Sequence, residues 1–273
     1  MTNISIMSAP GQLNGQGLTD AQFLKLFTGE VLTAFAENNI MKGLHRERTI
    51  THGKSASFPT IWKAAAEYHK PGTPILGNNK ILHGERIIHI DDLLTSSVFI
   101  YDLDEAKNHY EIRGDYSREV GAALAREYDQ KTMRVAALAA RSSGAVTGEP
   151  GGSTFSSADF ATDLINKDYG GAGVYAEGSI LKVANISIKK SNNVPNAAVS
   201  AVDGENNVYN GDFSKTVAVC FTKDAIGTVK LRDLKTQMTS GDFNIVYQGT
   251  LIVATYAMGH GVLRPQCAIE LTV

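Results

Sequence analysis

The sequence predicts an α+β fold, and three observations carry that prediction. Apolar residues near the N-terminus recur at helical spacing, a longer helical pattern fills the middle, and the C-terminal part reads as strands rich in Val, Ile, Thr and Tyr. Between the two helices lies a polar stretch too poor in apolar residues to bury a core of its own. The chain has 273 residues, of which 43% are apolar, enough for one large domain or two small ones.

The first helix is predicted from about Asp20 to Asn38. Thr19 and Gln22 have capping-box spacing, a hydroxyl for an orphan N–H and an amide reaching back. Phe23, Phe27, Val31 and Phe35 follow at i+4 intervals, with Leu24 and Leu32 beside them. Asn38 and Asn39 suit its end, because Asn tolerates the left-handed cap. The residues before it, Met1 to Gly17, hold Gly, Gln, Asn and Ser with no basic n-region, and read as a flexible arm, not a signal peptide.

Residues 40 to 75 are basic and irregular. Lys42, Arg46, Arg48, Lys54, Lys63 and Lys70 stand against Glu47 and Glu67, with His45, His52 and His69 interspersed. Pro71, Gly72, Pro74 and the run Gly77-Asn78-Asn79 are turn residues. The alternation Ile88, His89, Ile90 then suggests a strand with one wet face. Residues 55 to 90 therefore read as two strands with a turn near 77 to 79. A two-stranded hairpin is marginal in water by itself. Either the body of the protein or a neighbouring chain must hold it.

The longest helical signal runs from Asp102 to about Ala140. Asp102 and Glu105 have cap spacing, and Ala106, Tyr110, Val120, Leu124, Val135 and Leu138 mark the apolar face. Gly114 and Gly121 each lower helix propensity by about 1 kcal/mol relative to Ala, so a spine helix or one bent at Gly114 is expected. The Gly/Ser-rich stretch Ser142 to Ser157 reads as a loop. Strands are predicted at Ile180 to Ile188, Thr216 to Phe221 and Phe243 to Tyr256, with a polar loop from Asp203 to Phe213.

The search for chemistry excludes more than it finds. The formal charge of −2 argues against a dedicated nucleic-acid binder while leaving a local basic face open. No stretch of eighteen apolar residues exists to span a membrane. No phosphate-binding loop or nucleophile elbow occurs, and Gly170 to Gly173 reads as a plain turn. Glu105 and His109 are i, i+4 neighbours without a third ligand, and read as a surface pair. Asp102, Asp104 and Glu105 lack the glycine a calcium loop needs, because Lys107 stands there. Asp91 and Asp92 are adjacent, and on a strand would point to opposite faces. His260, between two glycines, reads as part of a structural turn. Cys220 and Cys267 read as buried free thiols, with no zinc spacing and no expected disulfide. No catalytic, cofactor or metal site is expected.

Five runs carry a family resemblance: FLKLFTGEVLTAF at Phe23–Phe35, GKSASFP at Gly53–Pro59, IYDLDEAKNHYEIR at Ile100–Arg113, IGTVKLRDL at Ile226–Leu234 and YAMGHGVLRP at Tyr256–Pro265. In the same order, they resemble the major capsid proteins of short-tailed bacteriophages of the podovirus, or autographivirus, kind. The resemblance covers roughly residues 20 to 135 and 220 to 273. It implies the tailed-phage capsid fold. The N-terminal arm would occupy 1–54, the extended loop 55–92, and the first part of the peripheral domain with its spine helix 93–159. The axial domain would occupy 160–220 and the peripheral return strands 221–273. One departure stands out: between Arg141 and Asp163 a short Gly/Ser stretch replaces a further helix and the start of the family's axial domain.

The resemblance implies a structural protein and not an enzyme, with no cofactor. It implies an icosahedral shell of hexamers and pentamers enclosing double-stranded DNA. Other implied partners are a scaffolding protein during assembly and a portal protein at one vertex; no membrane is implied. The implied location is the virion capsid, assembled in the bacterial host cytoplasm. A cellular nanocompartment shell of the same fold, or an enzyme with an unrecognised site, are the competing readings.

If function resides in interfaces, the coreless hairpin is the natural element to lie over an adjacent subunit. Trp62, the only Trp, lies in it and would bury a large apolar area at low entropic cost against a neighbour or against the body. Phe58, Tyr68, Ile88 and Ile90 are the other expected intersubunit contacts. Lys42, Arg46, Arg48 and Lys54 are the expected DNA-proximal cations, since phosphate attraction needs no base-specific motif. A solvated arm, or a surface meeting an acidic neighbour, explains the same run.

Overall fold

Helix α1 spans Ala21–Asn38 in the computed structural model of the chain. The structure describes residues 21–64, 66–75, 77, 81–101, 113–156, 173–174, 179–180, 182–183, 186–239 and 242–273. Thr19, with the expected first cap, lies outside them, as do Asp102 and Glu105 with the second cap and the pair Glu105/His109. Val31, Ala34 and Phe35 are buried while Leu32 is exposed, the division that helical spacing demands. The helix ends with Asn39 N–H on the Phe35 carbonyl at 3.2 Å and Asn38 Nδ2 on the Ala34 carbonyl at 2.8 Å. Neither asparagine takes the left-handed conformation expected of it; Gly43, at φ +82°, does.

The second helix, α2, is Arg113–Arg141, 29 residues. Its expected start at Asp102 lies outside the described residues. The helix runs unbroken through Gly121, and Gly114 sits in its first turn. A third, short helix, α3, is Asp242–Tyr247.

The first strands are β1 (Arg46–Thr49), β2 (Ser55–Ile61), β3 (His83–His89), β4 (Leu94–Tyr101) and β5 (Ser153–Ser156). Four two-residue strands follow: β6 (Gly173–Val174), β7 (Ser179–Ile180), β8 (Lys182–Val183) and β9 (Ile186–Ser187). The rest are β10 (Ala198–Val199), β11 (Gly211–Asp212), β12 (Thr216–Phe221), β13 (Ile226–Met238), β14 (Gly249–Val262) and β15 (Ala268–Thr272). One sheet has the order β1-β13-β14-β4, and another β12-β15-β5. The pairs β2-β3, β6-β7, β8-β9 and β10-β11 are antiparallel. This is the α+β composition predicted from the sequence.

The chain divides into two compact units. The first takes residues 1–42, 90–129 and 230–258. In it α1 packs on the first half of α2. An added Cβ on Gly121 would lie 2.6 Å from the Val31 carbonyl oxygen and 2.8 Å from Ala34 Cβ. The glycine that weakens the helix is thus what lets the two backbones meet. Phe35, Tyr128 and Tyr256 form an edge-on trio with centroids 6.0 to 6.5 Å apart. Buried Asp129 accepts the Ile40 and Met41 N–H groups at 2.9 and 3.0 Å, satisfying the backbone where the chain leaves α1. Strand β4 pairs antiparallel with β14 from Tyr101↔Gly249 to Leu94↔Tyr256. The strand expected from Phe243 begins instead at Gly249. Residues 242–247 turn as α3, tied by Thr239 Oγ1 to Asn244 Oδ1 at 3.0 Å and by Leu251 N–H to Thr239 Oγ1 at 3.0 Å. A local side-chain bond outcompetes the ladder there.

The second unit takes residues 43–89, 130–229 and 259–273. Its core includes Val135, Ala136, Ala139, Tyr209, Phe213, Ile226, Val229 and Leu263. Strand β15 pairs antiparallel with β12 and parallel with β5. Ser153–Ser156, expected as loop, is therefore a strand, formed because β15 supplies its ladder. The last strand, β15, thus lies between β12 and β5. The strand expected over Ile180–Ile188 is broken, among its described residues, into β7, β8 and β9.

Candidate interaction surfaces

The hairpin β2–β3 has two unlike faces. Its register runs from Ser55↔His89 to Ile61↔His83, and Trp62 N–H extends the ladder to the Leu82 carbonyl at 3.0 Å. The connection, residues 62–82, is far longer than the turn expected at 77–79. Ala56, Phe58 and Thr60 share one face with Ile88, Arg86 and Gly84. That face is held by the body. Arg86 Nη2 donates to the Ser143 carbonyl at 2.7 Å, and a Cβ on Gly84 would meet Val146 at 2.8 Å. The opposite face presents Ile61 and Ile87, both more than half exposed. Tyr68 and Ile75, on the connection, are also largely bare.

The expected contact residues divide accordingly. Tyr68 is wholly exposed. Trp62 is half-buried, with the Lys63 ammonium 5.6 Å from its ring centre. Phe58 is half-buried on the body-facing side, under the Arg48 guanidinium at 5.9 Å. Ile88 and Ile90, at 1% and 8% exposure, are interior residues of the subunit and offer no surface of the kind expected of intersubunit contacts. Ile88 fills the space left by two glycines: an added Cβ on Gly227 or Gly261 would lie 2.9 or 2.8 Å from its side chain. The sequence reading missed the exposed Ile61, Ile75 and Ile87. A signal for Ile87 existed. Two consecutive isoleucines on a strand point to opposite faces, so burying Ile88 exposes Ile87.

The root of the hairpin is a polar junction. Asn207 accepts the His89 N–H at 3.0 Å and donates to the His89 carbonyl at 2.7 Å. The Gly259 backbone lies against the same carbonyl so closely that any Cβ would fall 1.8 Å from it. Tyr209 OH accepts the His260 N–H at 2.9 Å, and His260 Nδ1 lies 2.8 Å from Thr228 Oγ1. His45 faces His260 edge-on at 6.5 Å, with Glu47 3.7 Å from its Nε2. His260 is thus a buried strand residue in β14. The turn expected there is absent, because its flanking glycines serve close packing.

The basic residues are partly spoken for. Arg46 Nε pairs with Asp224 Oδ1 at 2.6 Å, and this bond holds the Asp224 carboxyl below the usual carboxylate range. Arg48 Nη1 donates to the Ser57 carbonyl at 2.8 Å. Lys54 is exposed. Lys42 is exposed as well, with its ammonium 5.7 Å from the Phe35 ring centre.

Beyond the hairpin, Lys131 and Glu205 form a buried ion pair at 3.5 Å. A second pair, Arg141 with fully buried Glu270, borders an open cavity of about 260 Å³ whose lining includes Asp212 and Lys215. Among the described residues no three His, Cys, Asp or Glu side chains converge as metal ligands, and no helix is long and apolar enough to cross a membrane. Cys220 and Cys267 are free thiols, half-buried and not fully buried as expected. Asp91 is buried and Asp92 exposed, though both lie beyond the end of β3.

A family model described as Gp10A-like, major capsid protein, matches residues 57–163 and 156–272. The major capsid protein of Enterobacteria phage T3 is 30% identical over 327 aligned positions, covering 94% of this chain and 93% of that protein. Because the alignment is longer than the 273 residues here, the T3 protein carries segments that this chain lacks. Among solved structures, the capsid of the cyanophage P-SCSP1u matches with a TM-score of 0.78 and 40% identity over 99% of both chains. The mature capsid of bacteriophage PhiM1 matches with a TM-score of 0.71 over 86% of both chains at 15% identity, a likeness of fold alone.

Proposed function

The chain belongs to the Gp10A-like family of major capsid proteins, and from that premise we propose how its surfaces divide the work of building a head. It is a structural subunit of a bacteriophage head shell, a component of the virion, and it acts as an oligomer. The observation that carries this is the match along nearly the whole chain to capsid proteins of known role. The proteins named above are all of phage heads, so nothing favours the cellular compartment reading.

Within that frame, the hairpin β2–β3 and its connection lie over a neighbouring copy. Support comes from the bare Ile61, Tyr68, Ile75 and Ile87 on an element whose other face is already used by its own body. Trp62 anchors that contact. Copies close as hexamers and pentamers, since head-to-tail contacts form rings when the rotation permits. Many modest contacts per subunit give a shell its avidity.

The arm is assigned to residues 1–54, the extended loop to 55–92, the peripheral domain to 93–159 and 221–273, and the axial domain to 160–220. A scaffolding protein, a portal protein at one vertex, and packaged double-stranded DNA are the further partners, with assembly in the host cytoplasm; these rest on the family. The chain works through interfaces and catalyses no reaction. Lys42 and Lys54 are the better placed of the expected cations to face DNA, because both are exposed while Arg46 is neutralised by Asp224.

Electron microscopy of the expressed protein tests the reading. Shells, tubes or capsomers are expected, and loss of assembly on Ile87→Glu. A wild-type chain that stays monomeric at every concentration and with scaffolding protein added would sink it.

A further inference from the structure

We propose that the loop Asp203–Phe213 is a strap, and that its surface catch, Asn207 on His89, sets how firmly the hairpin β2–β3 is held to the body. Besides its end, where β11 pairs with β10 and Phe213 is buried, the strap is attached through Glu205, Tyr209 and Asn207. Glu205 pairs with Lys131 of α2 at 3.5 Å, with both side chains under a tenth exposed. Tyr209, 1% exposed, takes the His260 N–H of β14 on its hydroxyl and the Lys131 ammonium over its ring at 5.1 Å. Asn207 reaches the hairpin, with two hydrogen bonds on the backbone of His89 at the end of β3, and its Nδ2 also lies 3.4 Å from the Tyr209 hydroxyl.

The attachments differ in kind. The first two are buried, and breaking either leaves a buried charge or a buried backbone N–H unsatisfied. The third lies at the surface, where water replaces a lost bond. Asn207 also imitates a strand: one side-chain amide supplies both the acceptor and the donor that a neighbouring residue would supply in a ladder. The strap therefore stays on the body while its catch can open. Once the catch opens, the hairpin keeps its own ladder, the inner-face contacts of Arg86 and Gly84 and the packing of Ile88 on Gly227 and Gly261, but loses the polar tie at His89. A two-stranded ladder so loosened exchanges its amides faster, because it depends on the body for support. The catch thus tunes how readily the hairpin swings to meet a neighbour, a consequence that rests on the shell-subunit reading.

The test uses the full chain as dissociated subunits, wild type and Asn207→Ala. Amide exchange is followed at Ser57–Ile61 and Gly84–Ile87, with the α2 amides from Met133 to Ala140 as internal reference. His89, which loses its own acceptor, is left out of the comparison. Exchange in the hairpin is expected to rise roughly tenfold with the reference unchanged. The decay of Trp62 fluorescence anisotropy is expected to gain a faster component. Asn207→Asp keeps the acceptor for His89 N–H and loses the donor, and falls between the two. Unchanged hairpin exchange overturns the proposal, and so does equal acceleration in α2, which marks a general loss of stability. Microscopy on the same samples separates this proposal from the reading beneath it. If shells form and the catch has no effect, only the strap falls. If the catch behaves as described and the wild type never assembles, only the shell reading falls.

Discussion

Arg141 and Glu270 meet side by side, Nε donating to Oε2 and Nη2 to Oε1, both at 2.6 Å. Glu270 is fully buried and also accepts from Thr216 Oγ1 at 2.5 Å. The hydrogen bond to Glu270 pushes the Arg141 guanidinium pKa above its ordinary value. The guanidinium lies over the Phe213 ring at 5.0 Å, so both its edge and its face are used. Removing Arg141 alone strands a buried carboxylate. Arg141→Met is expected to cost about 3–5 kcal/mol of subunit stability, while Arg141→Met with Glu270→Leu recovers most of it. Urea denaturation of dissociated subunits measures both. A single variant costing under about 1 kcal/mol would show that water reaches Glu270 in place of the guanidinium.

The pair Arg46–Asp224 is of the opposite, surface kind, with side chains 54% and 37% exposed. The bond from Arg46 depresses the Asp224 pKa in the folded chain. A depressed carboxylate stabilises the fold above its unfolded pKa, near about 4, and the contribution disappears as pH falls through the lower folded value. Exposure and salt hold it to about 1 kcal/mol or less. The stability difference between wild type and Arg46→Ala is therefore expected to be small at pH 7 and to shrink as pH is lowered toward 3. A difference that grows on acidification would contradict the pairing. Because its charge is already matched, Arg46→Ala should leave DNA retention by assembled heads less affected than Lys54→Ala.

Two glycines in α2 that look alike in sequence should respond in opposite ways. Nothing lies within 4 Å of a Cβ built on Gly114, so Gly114→Ala gains helix propensity and stabilises by up to about 1 kcal/mol. Gly121 faces Val31 and Ala34 at under 3 Å, and Gly121→Ala must push α1 away. A cost of about 1–3 kcal/mol is expected, the range for overpacking a tight contact. Thermal unfolding of the two variants side by side decides it. Equal effects would mean that α1 shifts without resistance.

How much was legible follows from where each signal resides. The α1 face and β12 were readable because apolar period and β-branched composition are local properties. The hairpin was readable as an element without a core, yet not which of its faces was already occupied, since that depends on Ser143 and Val146 far along the chain. The strand Ser153–Ser156 was hidden because its partner, β15, lies more than a hundred residues away and its own sequence is that of a loop. Asn207 was unreadable in a run of polar residues, where any of several could have turned outward to solvent. The family and its shell role came from long matching runs and not from any periodicity.

Neighbouring isoleucines at the end of β3 separate folding from assembly. Ile88 is 1% exposed and packs on Gly227 and Gly261, so Ile88→Ala removes methyl groups from a site whose glycines cannot fill the gap. A loss of about 2–5 kcal/mol is expected, read by denaturation of the dissociated subunit. Ile87 is 52% exposed on the outer face, opposite Ser57. Ile87→Glu should leave subunit stability within about 0.5 kcal/mol of wild type, as surface substitutions do. If that face seats on a neighbour, the carboxylate enters an apolar contact unpaired, and assembly fails while the subunit stays folded. Light scattering during assembly gives one readout and urea denaturation the other. Normal assembly of Ile87→Glu would remove the outer hairpin face from the interface. An unfolded subunit from the same change would show that Ile87 supports the body in the way Ile88 does.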